Sequence, residues 1–189
     1  MAELKIVGLG GSLAEKSSSL AALRIALEGA ASNGAPTELL DIRELDLPMY
    51  VPDLPELPEA VRRFNDTIYE ADGLIWSSPL YHGTVSGAFK NALDWLNPLG
   101  RREPAYLTHK VIGLISVAGG TQGLQAVNTM EFCVRALRGW AVPLVLPIPR
   151  AARLRRGGQA SRRGRKARAA CPGSRSGPRR RSGGSCDDV

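Results

Sequence analysis

Short apolar runs alternate along the first 149 residues with longer stretches in which apolar side chains recur at every third or fourth position. The runs are rich in Val, Ile and Leu and show no strict alternation with polar residues, which is typical of strands buried on both faces. This pattern predicts five strands, at residues 4–10, 37–42, 74–78, 111–117 and 140–146.

Helical spacing predicts four helices between these strands. The first begins at Ser19 and ends at Asn33-Gly34, and the second spans residues 59–71. The third follows Thr84, which we expect to be its N-cap, and the fourth ends at Gly139. Their expected buried faces are Leu20, Leu23 and Leu27 in the first, Val61, Phe64 and Ile68 in the second, Val85, Phe89, Ala92 and Leu96 in the third, and Leu124, Val127, Val134 and Leu137 in the fourth.

Strands that alternate with helices indicate βαβ units and a parallel sheet. The predicted class is α/β, a doubly wound five-stranded parallel sheet with helices on both faces. The prolines of residues 48–58 exclude regular structure from one long connection. Ligands of such sheets bind beyond the carboxyl ends of the strands, near the point where the strand order reverses. The loops after the first, third and fourth strands are therefore the candidates for function.

Charge divides the chain at residue 150. Residues 1–149 carry 12 basic and 16 acidic side chains, whereas residues 150–189 carry 13 basic and 2 acidic ones. Leu154 and Val189 are the only large aliphatic residues of this tail, which cannot bury enough apolar surface to offset the entropy lost on ordering. We therefore expect one domain over residues 1–149 and a basic, disordered tail over 150–189.

The tail also replaces the helix that a sheet of this kind needs after its last strand, so we expect that final helix to be missing. A solvated natural tail and an arm that attracts nucleic acid nonspecifically are two explanations. The one we prefer is a reading-frame shift in GC-rich DNA, because such codons encode mostly Arg, Gly, Ala, Pro and Ser. Resequencing the coding DNA tests this explanation, because one unbroken, confirmed frame would remove it. A sheet without its last helix exposes apolar surface, so this copy is expected to be marginally stable or inactive.

No apolar run approaches the roughly 20 residues that cross a bilayer, and the first residues lack the pattern of a signal peptide. A cytoplasmic location without membrane association is therefore the expectation. The three cysteines, Cys133, Cys171 and Cys186, form no close-spaced pair, so neither a disulfide framework nor a metal site is predicted.

The first candidate loop, residues 10–19, joins a strand to a helix and reads GGSLAEKSSS. The start of a helix leaves N–H groups unpaired and carries a partial positive charge, so it stabilises an anion. The hydroxyls of Ser12, Ser17 and Ser19 could close around a phosphate. The spacing does not match that of a triphosphate P-loop. It does not match the dinucleotide-binding glycine pattern either, because Leu13 stands where the third glycine of that pattern belongs. A well-capped helix without a ligand is the alternative.

The second and third candidate loops are also built from small residues. Residues 77–87 read SSPLYHGTVSG, in which Pro and Gly fix an exposed turn and Tyr81 offers a flat ring to a flat ligand. Free N–H groups in this turn could bond the polar edge of such a ligand. Residues 116–123 read SVAGGTQG at the matching end of the next strand. Together the three loops predict close main-chain contact with a planar, phosphorylated ligand.

The loop GGSLAEKSSSL, the segment ADGLIWSSPLYHGTVSGAFKNALDWL at 71–96 and the segment ISVAGGTQG at 115–123 resemble the NADPH-dependent FMN reductase family of flavodoxin-like proteins. The resemblance covers residues 4 to about 147. It implies a strand order of 2-1-3-4-5, an FMN cofactor, NADPH or NADH as hydride donor, and a homo-oligomer. Family members often carry Arg where Ala14 stands, and Lys16 is close enough in sequence to compensate.

The resemblance also assigns residues to the cofactor. It implies that the FMN phosphate is held by Ser12, Ser17 and Ser19. The residues implied to line or adjoin the isoalloxazine are Pro79, Leu80, Tyr81, His82, Gly83, Gly119 and Gly120.

The activity implied is an FMN-dependent NAD(P)H oxidoreductase that passes hydride to flavin and then to a small acceptor such as a flavin or quinone. No side chain is expected to be catalytic, because the flavin carries the chemistry. His82 is expected to contact the flavin through its backbone, and a role as a catalytic acid is the alternative. Two other functions stay open: a flavin-binding electron carrier or sensor without NAD(P)H activity, and a compromised copy with an aberrant C-terminus.

Overall fold

A computed structural model of the chain describes residues 4–149. Five strands form one parallel sheet in the order β2-β1-β3-β4-β5, which confirms the predicted class and strand order. Each strand lies where an apolar run predicted one, but three of their ends differ clearly. The first strand begins at Ile6 rather than at residue 4, the second ends at Asp41 because Ile42 begins a helix, and the last extends three residues further. The strands are β1 (Ile6–Gly10), β2 (Thr37–Asp41), β3 (Gly73–Pro79), β4 (Val111–Ala118) and β5 (Trp140–Pro149).

The four predicted helices are present, together with three short helical segments that the pattern did not predict. The predicted ones are α1 (Ser18–Ser32), α3 (Glu59–Glu70), α4 (Gly87–Asp94) and α5 (Leu124–Ala136). The additional ones are α2 (Ile42–Leu45) and two 3₁₀ helices, Asn97–Arg101 and Thr121–Gly123. The expectations of a disordered tail and of a missing final helix concern residues outside the described range.

Helices cover both faces of the sheet, as the doubly wound class requires. On one face α1 packs Leu20, Leu23 and Leu27 against the first three strands. On the other face the larger cluster joins the alternate strand residues to α3, α4 and α5. The largest side chains buried there are Trp76, Trp95, Phe64 and Phe89.

The predicted end of α1 is confirmed, whereas the predicted cap of α4 is wrong. At α1, Asn33 is the C-cap and Gly34 follows with a φ of 85°. At α4, Ser86 and not Thr84 is the N-cap, since the Ser86 hydroxyl accepts a hydrogen bond from the Phe89 N–H. Thr84 is instead engaged in a turn with Tyr81, which leaves Val85 and Ser86 to lead into the helix.

Two details of α5 also differ from the prediction. Leu124 was expected on the buried face but is 47% exposed at the first position of α5. Arg138, not Gly139, takes the left-handed conformation after the helix, with a φ of 64°. Gly139 instead allows the main chain to pack closely against Ile112, because a Cβ there would lie 2.5 Å from Ile112 Cδ1.

The register of the central strands brings the three candidate loops to one edge. Gly10 at the end of β1 is level with Ser77 on β3, and Pro79 at the end of β3 is level with Val117 on β4. The loops after these strands therefore leave the sheet side by side. None of the helices in residues 4–149 has the length and apolar character of a membrane span.

Candidate functional site

The loops that follow β1, β3 and β4 enclose a cleft at the carboxyl edge of the sheet. It contains about 510 Å³ of empty space, part of it open to solvent. Its lining residues are Ser12, Ala14, Lys16, Ser17, Ser18 and Ser19 from the first loop, Pro79, Leu80 and Tyr81 from the second, and Val117, Ala118 and Gly119 from the third.

Seven of the ten residues assigned to a cofactor from the sequence line this cleft, and three do not. The seven are Ser12, Ser17, Ser19, Pro79, Leu80, Tyr81 and Gly119. The three others are not part of the wall: His82 and Gly120 each follow a lining residue in sequence, and Gly83 follows His82. Ser18, Val117 and Ala118 were not assigned to the cofactor from the sequence, although each lies within one of the three candidate loops.

Hydroxyl groups organise the first loop at the start of α1. Ser17 Oγ accepts a hydrogen bond from the Leu20 N–H at 3.1 Å and is 2.9 Å from Ser19 Oγ. Ser12 Oγ accepts one from the Ala14 N–H at 3.2 Å. The side chains of Ser12 and Ser19 are buried, which fixes their positions at the base of the cleft. This arrangement holds the loop in a compact conformation without closing the cleft.

The first loop also presents donors and positive charge. The main-chain N–H groups of Ser18 and Ser19 have no acceptor among the described residues, and they belong to the first turn of α1, where the helix dipole favours an anion. Lys16 is the one charged side chain among the lining residues of the described range. The electrostatics of this end of the cleft therefore suit a phosphate.

A second basic side chain, Arg43, reaches the same loop from α2. Its Nη1 donates to the Glu15 carbonyl at 3.4 Å, while its Nη2 donates to Asp41 Oδ2 at 2.6 Å. Burial raises the pKa of Asp41, but the hydrogen bonds from the Arg43 side chain and N–H outweigh burial and hold that pKa below its ordinary value. Arg43 is thus neutralised by Asp41 and supports the loop rather than adding a free charge.

The second loop forms a tight turn at residues 81–84. Tyr81 N–H donates to the Thr84 carbonyl at 2.9 Å, and Thr84 N–H donates back to the Tyr81 carbonyl at 3.1 Å. The two central residues, His82 and Gly83, have φ values of 48° and 89°. Positive φ at both central positions defines a type I′ turn, in which glycine at the second position avoids strain. His82 and Gly83 stand at its tip, which is why they do not line the cleft.

This turn leaves fewer free donors than the sequence suggested. Leu80 N–H donates to the Val117 carbonyl at 3.1 Å, and the N–H groups of Tyr81 and Thr84 are used within the turn. Within residues 4–149, only the N–H groups of His82 and Gly83 lack an acceptor in the segment from Leu80 to Thr84. The main-chain donors available to a ligand at this turn are therefore those at its tip.

The remaining walls of the cleft carry no charged side chain among the described residues. Pro79, Leu80, Val117 and Ala118 contribute apolar surface, and Tyr81 is 48% exposed at the rim. A Cβ built on Gly119 or Gly120 would meet no atom within 4 Å, so the third loop leaves open space beside this wall. A planar group next to an anion is the ligand shape that this combination of surfaces fits.

A second cleft lies between the proline-rich loop and the end of α4. It holds about 580 Å³ of empty space, also partly open to solvent, and its walls include Tyr50, Asp53, Trp95 and Arg101. None of the residues assigned to a cofactor from the sequence lines it.

Comparisons with known proteins show the family to which the chain belongs. Residues 4–152 match the family described as NADPH-dependent FMN reductase. The FMN-dependent NADPH-azoreductase of Staphylococcus aureus is 32% identical over 138 residues, 70% of each chain. That of Staphylococcus haemolyticus is 33% identical over 102 residues, 54% of this chain and 51% of that one. The chain thus spans about half the length of several of the relatives that it matches.

Solved structures share the fold at lower sequence identity. The apo form of the NADH:FMN oxidoreductase EMOB superposes with a TM-score of 0.66 and 19% identity, over 78% of this chain and 76% of that one. At this identity the likeness supports the sheet and helix arrangement alone.

Proposed function

Because the chain belongs to the NADPH-dependent FMN reductase family, we propose that it binds FMN in the cleft at the carboxyl edge of the sheet and acts as an NAD(P)H-dependent oxidoreductase. The observation that carries this proposal is the asymmetry of the cleft. Unpaired N–H groups, hydroxyls and Lys16 lie at one end, and uncharged walls that include Pro79, Leu80 and the ring of Tyr81 lie at the other. A phosphorylated planar cofactor has the same two ends.

The phosphate is assigned to the first loop. Ser12, Ser17 and Ser19 would hold it through their hydroxyls, and the Ser18 and Ser19 N–H groups would add main-chain donors. A family arginine is often found where Ala14 stands here, and Lys16 is the cation of this chain that lines the same space. Its charge favours phosphate binding to a degree that depends on ionic strength.

The ring is assigned to the second and third loops. Pro79, Leu80 and Tyr81 would contact its face, while the His82 and Gly83 N–H groups would meet its polar edge. Gly119 and Gly120 would border it on the other side, where the absence of side chains leaves room. Flavin binding is thereby assigned to residues 1–149, and none of the proposed contacts comes from residues 150–189.

When bound, FMN supplies the chemistry, taking a hydride from NADPH or NADH and passing electrons to a small acceptor. The contribution of this chain is to bind the phosphate, to orient the ring and to leave one face accessible through the open side of the cleft. No acid–base side chain is required. Flavins and quinones are the proposed acceptors, and the names of the relatives add azo compounds to those worth testing. A homo-oligomer in the cytoplasm is part of the proposal on the family resemblance.

Anaerobic addition of NADPH, and separately of NADH, to the FMN-loaded full chain tests the proposal. Loss of the visible absorbance of oxidised flavin is expected with at least one donor, followed by its return when a quinone is added. Stoichiometric FMN that stays oxidised with both donors would identify an electron carrier or sensor instead. A chain that is folded but takes up no FMN would remove the assignment of the cleft.

A further inference from the structure

Two buried serines from the β3–α4 segment hold the first loop at its two ends. Ser77 Oγ, at the end of β3, donates to the Ser19 carbonyl at 2.9 Å. Ser86 Oγ, just before α4, donates to the Gly11 carbonyl. The side chain of neither serine lines the cleft, and the two residues are 0% and 3% exposed. Their acceptors stand at either end of the segment that is proposed to hold the phosphate.

Main-chain bonds strengthen the same connection. Gly11 N–H donates to the Ser77 carbonyl at 2.8 Å. Because the Gly11 carbonyl also accepts from Ser86 Oγ, Gly11 is hydrogen-bonded to both serines. Ser86 N–H in turn donates to Ser78 Oγ at 3.1 Å, which closes the base of the second loop. The turn proposed to face the ring, residues 79–83, therefore lies within a segment that is flanked by Ser77 and Ser86, the two residues that hold the first loop.

A buried serine at this edge of the sheet does not have to make such a bond. Ser116 on β4 is level with Ser78 and is 0% exposed, yet its Oγ has no partner among the described residues. Burial alone therefore does not account for the two serine–carbonyl bonds, which both reach the first loop. Ser77 and Ser86 share one feature that Ser116 lacks, which is a hydroxyl that donates to a carbonyl of the first loop.

We infer that Ser77 and Ser86 are positioning residues that fix the distance between the phosphate end and the ring end of the cleft. The inference rests on the proposed function, because it takes FMN as the ligand. In this arrangement the phosphate strengthens binding only if the first loop stands at the correct place relative to the 79–83 turn. Ser77 and Ser86 thus determine how much the phosphate adds to the affinity, although neither touches it.

The test compares FMN with riboflavin, which carries the same ring without the phosphate. Dissociation constants of both flavins are measured by flavin fluorescence on the full chain and on three variants, S77A, S86A and S116A. The preference for FMN over riboflavin is expected to fall about five- to tenfold in S77A and S86A, the effect of losing about one hydrogen bond that holds the loop. S116A, which removes an equally buried but unpartnered hydroxyl, is the matched control and should keep the wild-type preference.

S77A is the cleaner of the two variants, because Ser86 also caps α4 and its loss affects the start of that helix. Thermal denaturation of each variant separates a change of preference from loss of the fold. The inference is overturned if S77A and S86A weaken both flavins by the same factor, if they leave the preference unchanged, or if S116A lowers it equally. In each of those cases the proposed function still stands, provided that the wild-type protein prefers FMN to riboflavin. Wild-type protein that binds neither flavin overturns both.

Discussion

The ring of Phe89 fills the space where a side chain on Gly11 would stand. A Cβ built on Gly11 would lie 2.6 Å from Phe89 Cδ2 and 2.8 Å from Phe89 Cβ. Phe89 is fully buried in the first turn of α4, and Gly11 opens the loop proposed to bind phosphate. The loop can follow this path because glycine has no side chain, and its position therefore depends on the packing of α4.

Gly11→Ala is expected to destabilise the protein and to weaken FMN binding together. Overpacking of this kind costs about 1–3 kcal/mol of unfolding free energy, which urea denaturation measures. Gly29→Ala is the control, because Gly29 lies exposed within α1 and a Cβ there would meet nothing within 4 Å. That change should raise the stability by about 0.5–1 kcal/mol through helix propensity. A Gly11→Ala protein as stable as the wild type would contradict the packing argument.

Lys16→Gln is expected to weaken FMN binding without affecting riboflavin. Lys16 lines the phosphate end of the cleft and is exposed, so the loss should be about two- to fivefold, the range for a solvent-exposed charge pair. The effect should shrink as salt is added, because exposed charges are screened. Lys5→Gln, which removes a lysine paired with Glu38 at the amino end of β1, is the control and should leave both affinities unchanged. An equal loss for both flavins would argue against phosphate contact.

Tyr81→Ala is expected to weaken FMN and riboflavin by the same factor, since the proposed contact is with the ring that they share. Aromatic contacts of this kind contribute about 0.5–1.5 kcal/mol, which corresponds to a loss of about three- to tenfold in affinity. Tyr81→Phe should retain most of the affinity. Phe132→Ala removes an aromatic side chain that is 68% exposed on α5, away from the cleft, and serves as the control. Unchanged binding in Tyr81→Ala would place the ring elsewhere.

Asp41→Asn is expected to destabilise the chain by about 1.5–3 kcal/mol near neutral pH, the contribution of a hydrogen bond to a charged group. Burial raises the pKa of Asp41, but the bonds from Arg43 outweigh burial and leave it below its ordinary value. The stabilisation by this carboxylate is therefore present above the pKa of the unfolded chain, about 3.9, and is lost as the pH falls through the lower folded pKa. The difference in stability between wild type and Asp41→Asn should shrink over that acidic range. A difference that stays constant from neutral pH to pH values well below the unfolded pKa would contradict the pairing.

The elements of the fold were predictable because their signal is local. Each strand contains a short apolar run, only Leu39-Leu40 in β2, and the buried faces of α1 and α3 repeat at the expected spacing. The cap of α4 was not predictable in the same way. Thr84 and Ser86 both carry a suitable hydroxyl, and the choice depends on the 81–84 turn, whose hydrogen bonds occupy Thr84.

The site could be located from the sequence but not fully described. The three loops follow from the rule for parallel sheets, and the particular residues came from the family resemblance. The contact of Arg43 with the Glu15 carbonyl joins residues 28 positions apart, and the bonds of Ser77 and Ser86 to the first loop span 58 and 75 positions. Spacing along the chain carries no signal for such pairs, so only the folded arrangement shows them.

The most direct measurement is an FMN titration of the isotope-labelled full chain, followed through its assigned main-chain amide resonances. We predict that the largest changes fall within residues 12–19, 79–83 and 117–120, and that riboflavin reproduces the changes at the last two segments but not those at the first. Resonances in these segments that stay unmoved at saturating FMN, or changes centred on the cleft of Tyr50 and Trp95, would contradict the account.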